Sequence, residues 1–295
     1  MLQERGDRAL NAVINTILVL LGICVLYPLW YVLICSFSNP TDIVMGRVFF
    51  WVSGFNVEGY KEMFRYTDLW IGYRNTIIYT AVATVIGLAL QLSAAYALTR
   101  KNLPFRPWMN LFFIIIMYFS GGMIPSYMLM DSFGWIDNPL VAMIPGCFSV
   151  WNMIVARSYF QSSIPESLFD AAQIDGCSYI RFFVKVVLPL SSAMIAIITL
   201  YNVQGHWNSY MTGEIYFQNP QYFTLMQILN GIQNAAKQMT QNQAVIDPSA
   251  LAAIENRAKL LRYTTVIVAA IPMIAIYPVV QKYFVKGVMV GSVKG

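Results

Sequence analysis

The stretch SIPESLFDAAQIDGCSYIRFFVKVVLP, residues 163–189, is a polar interval between two long apolar segments. Ser163 is followed three residues later by Glu166, which is a capping-box pattern and predicts the start of a helix. Pro165 fits the first turn of that helix, because the N–H that proline lacks has no partner there. The interval therefore predicts a short helix that begins soon after the preceding apolar segment ends.

The rest of this interval predicts the face and the end of the helix. Leu168, Ala171 and Ala172 lie at i, i+3 and i+4, so they share one face of small or apolar side chains. Gly176 predicts the helix end, because glycine tolerates positive φ. A second helical run follows, and Pro189 marks the entry to the next apolar segment. Such an isolated element favours docking of a soluble partner. The alternative is a helix that lies on lipid headgroups.

The composition of the whole chain is that of a membrane protein. Of its 295 residues, 58% are hydrophobic and 11% are charged, whereas a typical soluble domain has about 25% charged residues. The mean hydropathy is +0.56. A membrane span needs about 20 apolar residues. Six spans are predicted, at about residues 12–36, 75–98, 108–130, 139–160, 184–205 and 263–284. The first is too long for a signal-peptide core, so we expect it to be retained.

The charge distribution predicts the orientation of these spans. With the N-terminus inside, eleven of the 19 Lys and Arg residues fall on the cytoplasmic side, in short loops. Five of the 14 acidic residues fall there as well. An excess of Lys and Arg in short inner loops is the positive-inside pattern. Both termini are therefore predicted to be cytoplasmic, and the basic excess faces membrane lipid instead of a nucleic acid.

This topology leaves two sizeable outer segments, residues 37–74 and 206–262. The second contains the Gln- and Asn-rich stretch 230–243, together with enough apolar residues for short amphipathic helices. Loops longer than about 15 residues usually have a function. The alternative is a disordered spacer, which the aromatic content of the segment disfavours.

Several stretches resemble one known family. Asp170-Ala-Ala, Asp175-Gly and Leu188-Pro189 resemble the EAA loop of binding-protein-dependent ABC importer permeases, where Glu-Ala-Ala precedes Gly and then Leu-Pro at this spacing. Asp170 replaces the usual Glu, and Cys177 replaces a common Ala. Residues 285–295 resemble the Gly-rich tail of maltose-type permeases. The stretches FSGGMIP (119–125) and HWNSY (206–210) resemble the LplC- or YtcP-like subgroup that serves complex oligosaccharides.

The resemblance implies a fold and a division of the chain. The fold is that of a type I ABC importer permease, an all-α polytopic membrane protein with six transmembrane helices and both termini in the cytoplasm. The implied divisions are an N-terminal segment (1–70) with the first span, a transmembrane domain (71–284) and a cytoplasmic tail (285–295). The domain contains the EAA loop (163–189) and the outer loop (206–262). The tail is expected to reach between the ATPase subunits.

The resemblance also implies partners and a contact site. The chain would form a heterodimeric pore with a second permease in the bacterial cytoplasmic membrane, and two cytosolic ABC ATPase subunits and an extracytoplasmic sugar-binding protein would complete the importer. The ATPase contact would fall on Asp170, Ala171, Ala172, Asp175, Gly176 and Pro189. The sequence contains no GxxxxGK[ST] phosphate loop, so ATP and Mg would be used by the ATPase, and this chain is predicted to be a subunit without catalytic residues, metal or cofactor.

Polar and aromatic residues in or near the spans are candidates for a sugar pathway. They are Gln91, Asn152, Gln204, Trp207, Asn208 and Tyr210. Polar groups within spans face the bundle interior, but they serve equally well as hydrogen bonds between helices. The pair Gly121-Gly122 is interpreted as close helix packing in preference to a hinge. The lone His206 has no second ligand and predicts neither a metal site nor a general base.

Three other functions compete with a sugar importer. A secondary transporter predicts inverted repeats and charged residues within the spans, and the spans contain almost no acids. An intramembrane enzyme needs paired His or Asp residues, which the spans lack. An ABC permease for a peptide or amino acid is the nearest alternative, and it should have complementary charges along its pore.

Overall fold

The computed structural model describes residues 2–241 and 248–292, and every regular element in these ranges is a helix. The first eight helices are α1 (Leu2–Ser36), α2 (Pro40–Val44), α3 (Glu58–Arg65), α4 (Thr67–Thr99), α5 (Arg106–Tyr118), α6 (Met123–Ser132), α7 (Leu140–Met143) and α8 (Val150–Ser163). The remaining α-helices are α9 (Glu166–Ile174), α10 (Tyr179–Phe182), α11 (Leu188–Leu190), α12 (Ser192–Trp207), α13 (Tyr210–Tyr216), α14 (Leu225–Gln241) and α15 (Pro248–Ser292). A π-helix (Phe183–Val187) joins α10 to α11, and a 3₁₀ turn (Pro220–Tyr222) precedes α14.

Three segments are long and apolar enough to cross a membrane. They are Leu10–Ser36, Thr67–Thr99 and Ile254–Pro278, within α1, α4 and α15. Two bent pairs also qualify if each pair is one span, namely α5 with α6 and Tyr179–Leu190 with α12. The described residues therefore hold three to five candidate spans. The prediction of an all-helical membrane protein is confirmed, whereas six uninterrupted spans are not found in the described part of the chain.

The predicted third span is sharply bent. The chain bends by 109° between helices α5 and α6, across Phe119–Gly122. Gly122 has φ +86° and ψ 173°, a conformation that essentially only glycine adopts. Pro125 does not cause the break, because it lies in the first turn of α6, where proline is tolerated. In the described part of this chain a Cβ added at Gly122 would meet nothing within 4 Å, so the predicted close packing of Gly121-Gly122 is not made within these residues.

The predicted fourth span is divided. Residues 144–149 separate α7 from α8, and Gly146 turns the chain at φ +78°. Ser149 then caps α8, with its hydroxyl oxygen accepting the Asn152 N–H at 3.3 Å.

The predicted fifth span is bent by 83° at Ser191, between α11 and α12. Pro189 has no N–H to donate to the preceding turn. Just before it the backbone widens into the π-helix, where Leu188 donates to the carbonyl of Phe183, five residues back. π-Bulges of this kind are frequent at functional sites.

The chain forms two compact units. The first contains Met1–Thr67 and Leu229–Ile271, and the second contains Asp68–Ile228 and Pro272–Gly295. In the first unit α3 packs on α15, because Gly59 lets Leu260 approach where a Cβ would lie 2.9 Å from its Cγ. In the second unit a buried apolar core joins α4, α8, α10 and α12. Its largest fully buried side chains are Leu98, Met153, Phe182, Val187 and Ile198.

The second predicted outer segment is largely helical. It contains α13, the 3₁₀ turn, α14 and the start of α15, in line with the short helices expected there. Residues 242–247 of this segment, which include the last two residues of its Gln- and Asn-rich stretch, lie outside the described residues, as do residues 293–295 of the predicted tail. The rest of that tail, to Ser292, continues α15 as helix.

Candidate functional site

The helix predicted from residues 163–189 exists as α9, but its start differs from the prediction. Ser163 is the last residue of α8, so it does not cap α9, and the capping-box interpretation is wrong. Pro165 occupies the N-cap position without a side-chain cap. Glu166 instead accepts a hydrogen bond from Lys101 Nζ at 2.5 Å, and this bond lowers the pKa of the Glu166 carboxyl below its ordinary value.

The end of α9 follows the prediction. Gly176 has φ +71°, and its N–H donates to the Gln173 carbonyl at 3.0 Å. The N–H of Cys177 reaches back to the Ala172 carbonyl at 2.9 Å. This pair of bonds is a Schellman motif, which needs a left-handed residue at the position of Gly176.

One aromatic side chain fastens α9 to the rest of the second unit. Phe169 is only 8% exposed, and its ring centroid lies 5.0 Å from that of Tyr179 and 5.2 Å from that of Phe182. The guanidinium of Arg100, just after the end of α4, lies over Phe169 at 4.6 Å and over Tyr96 at 4.8 Å. The sequence analysis missed Phe169. Its signal was that it is the one aromatic residue in the α9 sequence.

The opposite side of α9 is exposed. Ile174 is 88% exposed, and Leu168 and Ala171 are also open to the surroundings. Ala172, predicted to share their face, is half-buried against the apolar core, so the predicted face is only partly correct. The remaining predicted contact residues, Asp170, Asp175, Gly176 and Pro189, are exposed, the last of them in α11 beyond the π-helix.

A buried polar cluster joins three helices of the second unit. Gln91 on α4 donates to the Cys147 carbonyl at 2.8 Å. Asn152 on α8 donates to Asn202 Oδ1 on α12 at 3.0 Å, and Asn202 donates to Gln91 Oε1 at 3.3 Å. The three side chains thus satisfy one another between the helices. Asn202 is a member that the sequence analysis did not select.

A cavity of about 600 Å³ lies beside this cluster, between α4, α8, α12 and the start of α13. Its lining contains many polar side chains but no Asp, Glu, Lys or Arg among the described residues. The lining residues are Thr76, Tyr79, Thr80, Ala142, Pro145, Gly146, Ser149, Trp151, Asn152, Tyr201, Asn202, Gly205, His206, Ser209, Thr212 and Thr224. The arrangement can accept and donate hydrogen bonds without introducing a fixed charge.

Only one of the six predicted pathway residues, Asn152, lines this cavity. Gln91 bonds to the lining residue Asn202 from a fully buried position. Trp207 is buried with its ring 6.4 Å from that of Tyr73. The other three are placed on the last turn of α12 or just beyond it: Gln204 and Asn208 are exposed and Tyr210 is half-buried. The sequence analysis missed Thr80 and Tyr201 and set aside His206.

An all-helical chain with apolar spans, an uncharged polar cavity and an exposed helix fastened between spans defines a membrane protein of the transporter class. The chain belongs to the family of binding-protein-dependent transport system inner membrane components, whose family model matches residues 102–290. It is therefore a permease subunit of an ABC-type transport system, and the resemblance stated from its motifs is confirmed.

Individual relatives agree with this family. The polygalacturonan/rhamnogalacturonan transport system permease protein YtcP of Bacillus subtilis is 30% identical over 92% of this chain and 93% of its own length. Protein LplC of the same organism is 29% identical over 93% of this chain and 91% of its own. A chain in the crystal structure of a bacterial ABC transporter that imports the acidic polysaccharide alginate superposes with a TM-score of 0.78, at 29% identity, covering 95% of this chain and 98% of that one.

Proposed function

We propose that this chain forms one half of the pore of an ATP-driven importer that carries a sugar, expected to be an oligosaccharide, across the bacterial cytoplasmic membrane. The sugar cargo is supported by the polysaccharide transport of the relatives and by the uncharged lining of the cavity. Within the ABC class, the cavity lining disfavours an amino acid or peptide, because a zwitterionic cargo would leave its charges unpaired there.

The proposed topology has six membrane crossings with both termini in the cytoplasm. Three crossings are the long helices, two are the bent pairs, and α7 with α8 would supply the remaining one. The excess of Lys and Arg in the short loops supports the orientation. We retain the division into an N-terminal segment (1–70), a transmembrane domain (71–284) and a cytoplasmic tail (285–295).

The observation that carries the proposal is that α9 is exposed on one side and fastened on the other. Its outward face offers a small side chain, Ala171, between the apolar Leu168 and Ile174. Small residues permit close approach of another surface, which is what a docking helix needs. We assign the ATPase contact to this face together with Asp170, Asp175 and Gly176, and we assign Ala172 and Pro189 to positioning it.

The anchors of α9 supply a route for motion. A displacement of α9 acts on α10 through Phe169 and on the end of α4 through Arg100 and the Lys101–Glu166 pair. Helices α4 and α12 carry seven of the sixteen residues that line the cavity, so their shift would change access to it. Packed elements of this kind switch between discrete arrangements.

The proposal requires partners that this chain does not contain. They are a second permease for the other half of the pore, two cytosolic ABC ATPase subunits that use ATP and Mg, and an extracytoplasmic sugar-binding protein. The outer segment 206–262 is the proposed contact for the binding protein, since its helices follow directly on the cavity-lining end of α12.

The test is the ATPase activity of the complete assembly reconstituted in lipid. We expect loaded binding protein to stimulate hydrolysis. Ala171→Leu should abolish that stimulation, because it fills the docking face without touching the core. The matched control is Ser162→Leu, an exposed change in the last turn of α8. Equal stimulation in Ala171→Leu and wild type would reject α9 as the coupling helix, and the absence of any stimulation in the wild type would reject the importer itself.

A further inference from the structure

We infer that Arg106 and Arg157 form a binding site for the phosphate group of an anionic phospholipid, between α5 and α8 on the side proposed as cytoplasmic. Two neighbouring guanidiniums without a carboxylate partner, a buried N–H without an acceptor and an exposed apolar surface beside them define this site. It depends on the proposed topology of the chain but not on the proposed cargo.

Arg157 carries a charge into a helix of the proposed fourth crossing. It lies six residues before α8 ends at Ser163, which is about 9 Å along the helix axis. Its Nη1 donates to Oδ1 of Asn110 on α5 at 2.6 Å, and its Nε is buried without a hydrogen-bond partner. Buried polar atoms are normally paired, so this N–H calls for an acceptor that the described residues do not supply.

Arg106 adds a second positive charge beside the first. It is the first residue of α5, it is half-buried, and its Nε donates to the Leu98 carbonyl near the end of α4 at 2.9 Å. The two arginines are close enough for their charges to repel each other. In the described part of the chain neither forms an ion pair with an acidic residue. An anion that contacts both would therefore replace repulsion with attraction, and at the edge of a membrane this exchange is less screened than in water.

The unused donors of these side chains fit a phosphate group. A guanidinium has five N–H donors, and each of the two arginines uses one of them on a neutral oxygen of the described residues. Phosphate oxygens accept paired N–H groups from arginine in a bidentate geometry. Basic pockets between transmembrane helices on the cytoplasmic side suit lipid head groups, because that leaflet carries anionic lipids.

The surface of α5 favours a lipid over a free phosphate ion. No residue of α5 is fully buried, and Trp108 and Phe112, in its first two turns, are 70% and 59% exposed. A phosphate ion would leave this apolar surface uncovered, whereas the acyl chains of a phospholipid would lie along it. Tryptophan is also a residue that membrane proteins place at the level of the head groups.

The test is photocrosslinking of lipid to the protein together with the subunits that co-purify with it. The sample is placed in nanodiscs of phosphatidylcholine that contain a small fraction of phosphatidylglycerol with a diazirine in one acyl chain. After irradiation, mass spectrometry of the peptides should find lipid adducts on α5 or α8. The same diazirine carried by phosphatidylcholine should give about tenfold fewer adducts there, because its zwitterionic head group adds a cation beside the two arginines.

Two variants remove the charges one at a time. Arg157→Gln keeps an amide that can donate to Asn110, and Arg106→Gln changes only the start of α5. Each should lower the yield of phosphatidylglycerol adducts about tenfold, as the loss of a charge-assisted hydrogen bond does. The matched control is Arg181→Gln on α10, which removes the same charge on the same proposed side from an exposed arginine without an ion pair in the described residues. Its adduct yield should equal that of the wild type.

Thermal unfolding separates a lost site from a misfolded variant. Phosphatidylglycerol should raise the unfolding temperature of the wild type and of Arg181→Gln, because a ligand of the folded state stabilises it. The rise should be smaller in Arg106→Gln and Arg157→Gln, whose unfolding temperatures in pure phosphatidylcholine should stay near that of the wild type.

Four results would overturn the lipid site. They are equal labelling by the two diazirine lipids, undiminished labelling in both variants, loss of labelling when excess inorganic phosphate is added, and no label on either helix. The third would assign the arginines to a free anion, and the fourth would mean that another subunit covers them. None of these measurements requires transport, so their failure would leave the proposed importer standing, and a failure of sugar uptake would leave the lipid site standing.

Discussion

At the scale of single residues, the sequence predicts which side chains are unusual better than it predicts what they contact. Gln91 stands out as an amide in an apolar span, and the structure does bury it completely. Its partners, the Cys147 carbonyl and Asn202, are 56 and 111 residues away along the chain. No local pattern encodes such contacts. The sequence therefore left two roles open for Gln91 and Asn152, a sugar pathway or hydrogen bonds between helices.

Gly87 gives a prediction at this scale. A Cβ at this position of α4 would overlap the Cys147 carbonyl oxygen, which is backbone and is already held by Gln91. We expect Gly87→Ala to lower the free energy of unfolding by about 1–3 kcal/mol, as overpacking does. Thermal unfolding of the purified protein in detergent measures this loss. Gly205→Ala is the control, because a Cβ there meets nothing within 4 Å among the described residues and the change should be neutral or slightly stabilising.

Equal stability of the two alanine variants would show that residues 144–149 do not pack on α4 as described.

At the scale of helices, the sequence predicts long elements well and their breaks poorly. Helices α1, α4 and α15 cover three of the predicted spans, because continuous apolar runs leave few other structures in lipid. The bends at Phe119–Gly122 and Ser191 occur inside equally apolar runs, so average hydropathy does not register them. Proline is a common cause of helix breaks. Pro189 does precede the bend at Ser191, whereas the other bend depends on the backbone freedom of Gly122.

For helix α9 as well, the sequence predicts some features correctly and others not. Its existence and its end at Gly176 were predictable, since a left-handed terminal residue has a local signature. Its start was not, because Ser163 belongs to α8. Nor was its orientation, because the inward side is selected by Phe169 and its aromatic neighbours on α10.

The bend between α5 and α6 gives the prediction at this scale. Gly122→Ala places a Cβ on a backbone at φ +86° and ψ 173°, which costs about 1–3 kcal/mol. We therefore expect a lower unfolding temperature and a reduced yield of folded protein. Gly121→Ala is the neighbouring control, because its Cβ would come no closer than 4.0 Å to Pro125. If both variants melted like the wild type, the bend would not depend on glycine at position 122.

At the scale of the whole molecule, the orientation in the membrane remains a proposal that labelling can test. The natural cysteines Cys24, Cys35, Cys147 and Cys177 are first replaced. Ser167→Cys, on the exposed side of α9, should then react with a membrane-impermeant maleimide only after the cells are lysed. Gln218→Cys, exposed between α13 and α14, should react in intact cells. The reverse pattern would contradict the placement of α9 in the cytoplasm and of segment 206–262 outside.

The charge of the cargo is the property of the whole transporter that this chain bears on most directly. The similar alginate transporter is involved in the import of an acidic polysaccharide, yet the cavity lining here includes no Lys or Arg among the described residues. A carboxylate taken from water into such a site loses solvation that only a paired cation or several donors restore. We therefore expect the wild-type assembly to take up maltotriose in preference to trigalacturonate.

Tyr201→Arg would place a cation in the lining of the cavity, and it should shift the ratio of the two uptake rates toward the uronate. Tyr201→Phe keeps the ring and should leave that ratio unchanged. A wild-type preference for trigalacturonate would show that the charge selectivity of the pore is set by residues outside this cavity.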